Sequence, residues 1–148
     1  MSVLGVNEAE NVLRLAHRIA VLGIKPESCS EQAAHYIPAY LASVGYELIP
    51  VPIRFPDVKI ILDIPVFRSL LQIKGSIDIL SLFLRPKDVP KYEDDIIAVQ
   101  PSVVWFQSGL LNLSSAERFE KSGMRVVHCC IGCLRASIEP VCTPFKQP

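Results

Sequence analysis

The stretch Arg18-Ile-Ala-Val-Leu-Gly23, running on into Ile24-Lys25-Pro26, decides the reading of this chain. A continuous apolar run that ends in glycine reads as a buried strand feeding a tight turn. Ser28 stands three residues before Glu31, the spacing of a capping box, so a helix is predicted to start there. Amides at a helix start are unpaired and the helix dipole adds to them. The junction over Gly23, Ile24, Lys25, Ser28 and Ser30 is therefore predicted to receive an anion such as a nucleotide phosphate.

Working outward, Ile37, Leu41 and Val44 recur at helical spacing and Gly45 closes that helix, with Pro38 inside it predicted to bend or break it. Tyr46 to Val51 reads as a short strand ending among Pro50 and Pro52, and Pro52, Pro56 and Asp57 mark a loop. Lys59 to Leu62 and Pro65 to Phe67 suggest a further short strand, followed by one helical turn over Ser69 to Ile73. Ser76 to Leu84 is nearly all apolar, the pattern of a strand covered on both faces. Arg85-Pro86 ends it, and a helix capped at Asp88, with Pro90 in its first turn, is predicted to run to Pro101. Ser102 to Gln107 is the next strand, turning at Gly109. Ser114 and Glu117 form a second capping box before a helix ending at Gly123, and Met124 to Cys129 is the last strand.

Before these elements, residues 1–17 read as an amphipathic packing helix, and residues 136–148, with three prolines, read as an irregular tail. Strands alternating with helices predict an α/β fold: a doubly wound, mostly parallel sheet with helices on both faces. Ligands in such folds bind beyond the carboxyl ends of the strands. That edge gathers Gly23, Lys25, Pro50 to Arg54, Phe83 to Pro86, Gln107 to Gly109 and Cys129 to Gly132.

The chain has 148 residues, half of them apolar, which suits one domain with a sizeable core. Fifteen Lys and Arg balance fifteen Asp and Glu, so the basic excess that drives nucleic-acid binding is missing. No apolar run approaches the roughly 18 residues that cross a bilayer, and Glu8, Glu10 and Arg14 do not fit a signal peptide. Five cysteines, three of them crowded at Cys129, Cys130 and Cys133, make a poor disulfide framework and point to a reducing, cytoplasmic setting.

The dinucleotide fingerprint GxGxxG is absent, since no glycine follows Gly23 until Gly45, and the second strand runs out to Arg54 instead of a carboxylate. A cation there suits an additional ribose phosphate, as on coenzyme A or NADP. Gln107 lies where it can reach the ligand edge. The segment from His128 to Cys133 contains a CxxC. Together with Cys142 it offers donors for zinc or a redox pair, although no second close-spaced pair supports a metal, and inert buried thiols are the simpler expectation. His17 and His35 have no nucleophile in a triad pattern, and Asp94-Asp95 reads as a solvated helix face.

At this point the residues resemble the small, stand-alone coenzyme A-binding domain proteins, related to the nucleotide-binding domain of succinyl-CoA synthetase. The resemblance rests on Ile19 to Gly23, Gly45 to Val51, Val66-Phe-Arg-Ser-Leu70, Ile77 to Pro86, Val104-Trp-Phe-Gln-Ser-Gly109, and Gly123 to Val127 with Cys130-Ile131. It implies a Rossmann-like sheet that holds coenzyme A, with pyrophosphate near Gly23 to Ser30. Adenine and ribose would lie near Val51 to Arg54 and Phe67 to Ser69, and the thiol arm would pass Phe83, Arg85 and Pro86. The chain departs from the family at Pro52-Ile53, where Asn-Pro is usual, at Asp63, where a glycine is usual, at Leu84 and at His128-Cys129. The expectation is non-catalytic binding of coenzyme A or an acyl-CoA by a carrier, sensor or partner subunit, as a homodimer or beside an enzyme. An NADP-linked oxidoreductase and a ligand-free interaction module are the alternatives.

Overall fold

A computed structural model describes residues 3–138. Five strands, β1 (Arg18–Leu22), β2 (Glu47–Val51), β5 (Ile79–Leu82), β6 (Val103–Phe106) and β7 (Arg125–His128), form one sheet in the order β2-β1-β5-β6-β7, with every neighbouring pair parallel. β3 (Ile60–Ile61) and β4 (Ile64–Pro65) form a separate small hairpin. The chain leaves β1 for β2 on one side and crosses to β5 on the other, so the order reverses at β1, where the crevice of a doubly wound sheet opens.

Side chains alternate across each strand and build a core on either face. Ala20, Leu22, Leu80, Leu82, Val104 and Phe106 face Ile96 of α3 (Glu93–Val99) and Ala116 and Phe119 of α4 (Leu113–Lys121). Ile19, Val21, Ile79, Val103, Trp105 and Val127 face α1 (Val6–Leu15), Leu41 of α2 (Ala33–Ser43) and Ile131 of α5 (Ile131–Ser137). Pro50 is tolerated inside β2 because β2 is an edge strand, and its carbonyl accepts the Phe67 amide at 2.9 Å.

Several local expectations are corrected. α2 starts at Ala33, not at Ser28, and its cap residue Gln32 makes no side-chain cap; residues Glu27–Cys29 form a 3₁₀ turn instead. The cause is tertiary: the Glu27 carboxylate accepts the Leu62 amide at 2.8 Å from the hairpin. Pro38 does not end α2. The Ala34 carbonyl, which Pro38 cannot serve, accepts the Lys25 amide at 3.1 Å, so the proline ties the turn after β1 to the helix.

The helix expected from Asp88 to Pro101 is a 3₁₀ segment, Pro86–Tyr92, followed by the short α3, as suits a proline in its interior. α4 is capped by Asn112, not Ser114: its Oδ1 accepts the Ser115 amide at 3.0 Å while its Nδ2 donates to the Pro86 carbonyl at 2.7 Å. Ala136 and Ser137, read as the start of an irregular tail, close α5. Residues 139–148, Cys142 among them, lie outside the described part. Asp63, where the resemblance leads one to expect glycine, has φ 63°, a left-handed backbone that Asp tolerates better than most residues.

Candidate functional site

β1 stays zipped to both neighbours as far as Gly23. The Gly23 amide donates to the Val51 carbonyl at 2.9 Å, and the Phe83 amide donates to the Leu22 carbonyl at 2.9 Å. At Gly23 the backbone turns to φ 95°, and a Cβ there would collide with the Phe83 carbonyl. Only glycine meets both conditions. Beyond it the chains part. The Ile24 amide, next along the ladder, has no partner among the described residues although Ile24 is buried.

This parting opens two adjoining cavities across the carboxyl ends of β2, β1 and β5. The larger, about 580 Å³, lies under the loop after β2 and is walled by Arg54, Arg68, Ser69, Tyr92 and Asp95, with Leu22 and Val51 at its base. The smaller, about 290 Å³, is walled by Gly23, Ile24, Lys25, Phe83, Arg85 and Asp88. Ile53 and Arg54 line both, so the two form one groove. Its charged lining is Lys25, Arg54, Arg68 and Arg85 against Asp88 and Asp95, four cations to two carboxylates.

These cations are not equally available. Arg85 is engaged with Asp88, Nε to Oδ2 at 2.9 Å, and that hydrogen bond holds the Asp88 carboxyl below its ordinary pKa. Arg68 is a clamp: its guanidinium donates to the carbonyls of Phe55 (3.1 Å), Arg54 (3.5 Å) and Val58, which keeps the loop over the groove with Phe55 at φ 61°. The Lys25 ammonium donates to the Gln32 side chain. The Arg54 guanidinium has no partner among the described residues and is the charge best placed to meet an anion. Tyr92 has its phenol pKa raised by burial and by Asp88, so it is a hydrogen-bond donor at neutral pH.

Of the residues singled out in the sequence, Gly23, Ile24, Lys25, Val51, Arg54, Ser69, Phe83 and Arg85 are brought together along this groove. Ser28 and Ser30 are exposed around the 3₁₀ turn and line neither cavity. Phe67 packs against the core, and the Pro86 carbonyl serves Asn112. Gly109 occupies an exposed turn at φ 79°, where its amide donates to His128 Nε2 at 3.3 Å. Gln107 is buried with both amide atoms committed, Nε2 to Ser81 Oγ at 3.0 Å and Oε1 to the Ile131 amide at 3.1 Å. The sequence pointed to Arg68 only within Phe67 to Ser69 and gave Asp95 as a solvated helix face, whereas Tyr92 had no reading there, yet all three line the larger cavity. They reach the groove from segments separated in sequence, which no local pattern brings together.

Residues 17–136 match the family described as a CoA binding domain. The chain is 28% identical over 120 residues to the uncharacterised protein YneT of Bacillus subtilis strain 168, covering 81% of this chain and 85% of that protein. Among solved structures, a Thermus thermophilus protein superposes with a TM-score of 0.83 at 30% identity, covering 90% of this chain and 98% of the other. A hypothetical protein of Pyrococcus horikoshii OT3 follows the same fold at 26% identity and a TM-score of 0.80, covering 90% and 91% of the two chains. With the matched region spanning all five strands of the parallel sheet, the chain belongs to the CoA-binding domain family.

Proposed function

We propose that the chain binds coenzyme A or an acyl-CoA in the groove across the carboxyl ends of β2, β1 and β5, without reacting it. The observation that carries this reading is the Arg54 guanidinium at the junction of the two cavities, beside the Ile24 amide, neither of which has a partner among the described residues. The ligand is a long polyanion with an apolar arm. The ribose phosphate meets Arg54, the pyrophosphate meets the Ile24 amide and Lys25, and the pantetheine arm follows Phe83 and Leu84. Backbone amides and guanidinium groups are the natural partners of phosphate oxygens. Nothing along the groove is activated for attack: the Ser69 hydroxyl accepts the Leu71 amide at 3.1 Å, and Asp88 is held by Arg85.

Calorimetric titration with coenzyme A, dephospho-coenzyme A, NADP and NAD tests this. Coenzyme A binds best, and Arg54→Ala weakens it by about 10- to 100-fold, as expected for loss of a charged hydrogen bond of about 1.5–3 kcal/mol. Dephospho-coenzyme A, lacking the ribose phosphate, is nearly indifferent to that substitution. Equal binding of NAD, or no heat with coenzyme A at millimolar concentration, overturns the reading.

A further inference from the structure

The carboxyl end of β7 carries the CxxC, away from the groove and on a rigid frame. Trp105, fully buried, donates from Nε1 to the Cys129 carbonyl at 2.8 Å, and Gln107 receives the Ile131 amide, so the backbone on both sides of Cys130 is pinned by buried side chains. The far end of α5 is pinned as well. Arg135 Nε donates to the Tyr46 hydroxyl at 3.1 Å, its guanidinium lies 5.7 Å from that ring's centre, and the hydroxyl donates to the Leu13 carbonyl at 2.6 Å.

On this frame Cys130 caps α5, its Sγ accepting the Cys133 amide at 3.3 Å, and the neighbouring Cys130 thiol raises the Cys133 pKa. The two thiols thus face each other across one turn. Cys130 is half-buried and Cys133 exposed, and both line an apolar recess of about 300 Å³ with Tyr36, Ile37, Tyr40 and Gly132. A Cβ at Gly132 would stand 3.0 Å from an Ile37 methyl, which would have to give by a few tenths of an ångström. Both cysteines are free thiols.

We propose that Cys130 and Cys133 are a reversible dithiol–disulfide couple that exchanges with small organic disulfides entering this recess. The proposal stands independently of coenzyme A binding. Cys133, the exposed member, attacks through its minor thiolate fraction on one sulfur of a disulfide RSSR, so exchange speeds up as pH rises. That S–S bond breaks, the first RS⁻ leaves and takes up the proton Cys133 released, and Cys133 carries a mixed disulfide. Cys130 then attacks the Cys133 sulfur, expelling the second RS⁻, which takes up the Cys130 proton. Two protein thiols are oxidised to a disulfide and RSSR is reduced to two RSH. Because Cys130 is held against Cys133, ring closure outruns capture of the mixed disulfide by a second small thiol.

The test equilibrates the reduced full chain with glutathione buffers of rising disulfide content, quenches in acid, alkylates, and measures the mass of the tryptic peptide 126–135. The wild type loses two hydrogens in that peptide, and so does Cys129→Ser. Cys133→Ser loses none, and Cys130→Ser accumulates a persistent glutathione adduct on Cys133 that the wild type does not. Circular dichroism checks that each variant folds; should Cys130→Ser not fold, fragmentation of the oxidised wild-type peptide assigns the linkage directly. The proposal is overturned if the wild type stays reduced in the most oxidising buffer. It is equally overturned if the hydrogen loss survives Cys130→Ser or Cys133→Ser, or if wild type and Cys130→Ser accumulate the same adduct.

Discussion

The carboxyl edge of the sheet has two halves. Where β2, β1 and β5 end, the chains diverge after Gly23 and leave a basic groove. Where β6 and β7 end, Trp105 and Gln107 fill the space and hydrogen-bond the segment Cys129 to Ile131, over which α5 closes. The strands feeding both halves are largely buried, with β7 the least so. What separates them is which polar groups are left over. At β6–β7 both amide atoms of Gln107 and the indole N–H of Trp105 are spent internally, whereas beyond β1 and β2 the Ile24 amide and the Arg54 guanidinium have no partner among the described residues. A buried polar group left unpaired is costly unless something arrives to pair it, which for the buried Ile24 amide, with the exposed Arg54 charge beside it, marks the first half as the place for a ligand.

Gly23→Ala breaks the open half most severely. The added methyl meets the Phe83 carbonyl at a left-handed φ, and urea unfolding registers a loss of about 2–4 kcal/mol from strain and overpacking together. A loss below about 1 kcal/mol would mean that β1 and β5 separate freely, and that the glycine does not shape the groove. Gln107→Ala is the counterpart in the closed half. It strands the Ser81 hydroxyl and the Ile131 amide, costs about 1–3 kcal/mol, and leaves coenzyme A affinity unchanged. Weaker ligand binding in a folded Gln107→Ala protein would erase the contrast between the halves.

Arg68→Ala sharpens the comparison on the binding side. The guanidinium is exposed, so unfolding shifts by no more than about 1 kcal/mol, but the loop carrying Arg54 loses three carbonyl anchors and coenzyme A affinity falls several-fold. Unaltered affinity would show the loop to be held by other contacts. The smallest effect belongs to the opposite, amino edge. There Asp78 accepts the amides of His17 (2.8 Å) and Arg18 (2.9 Å). Partial burial raises its pKa, but the two amide bonds, with the nearby positive groups, outweigh burial and hold it below its ordinary value. A lowered folded pKa stabilises the protein above the unfolded value near 4, and that contribution fades as pH falls through the folded value. Asp78→Asn therefore flattens the acid limb of stability against pH below about pH 4, with no change at pH 7 in that slope. An acid limb identical to wild type would exclude Asp78 as its source.

The legible part of this protein was whatever short range decides. Each of the five sheet strands announced itself as an apolar run, because a strand covered on both faces needs no polar alternation. Gly23 was readable as a turn and Arg54 as a cation in place of a carboxylate. Ser28 misled because a capping box is only a local preference, and the Glu27 carboxylate bonded instead to Leu62, 35 residues away. α5 escaped notice because it has seven residues and a cysteine for a cap, so that its position depends on Gln107 and Tyr46 from elsewhere in the chain.

The amino-acid sequence by itself thus determined the layered α/β architecture and the glycine turn at the end of β1, carried by burial pattern and backbone freedom over a few neighbouring residues, while the family rested on the resemblance of several motifs in order. Only the tertiary structure decided which polar groups remain unsatisfied. That choice commits Gln107 to the core, turns Arg68 into a loop clamp, leaves the Arg54 guanidinium without a partner among the described residues and sets Cys130 against Cys133. It depends on hydrogen bonds between residues tens of positions apart, whose partners no local pattern names.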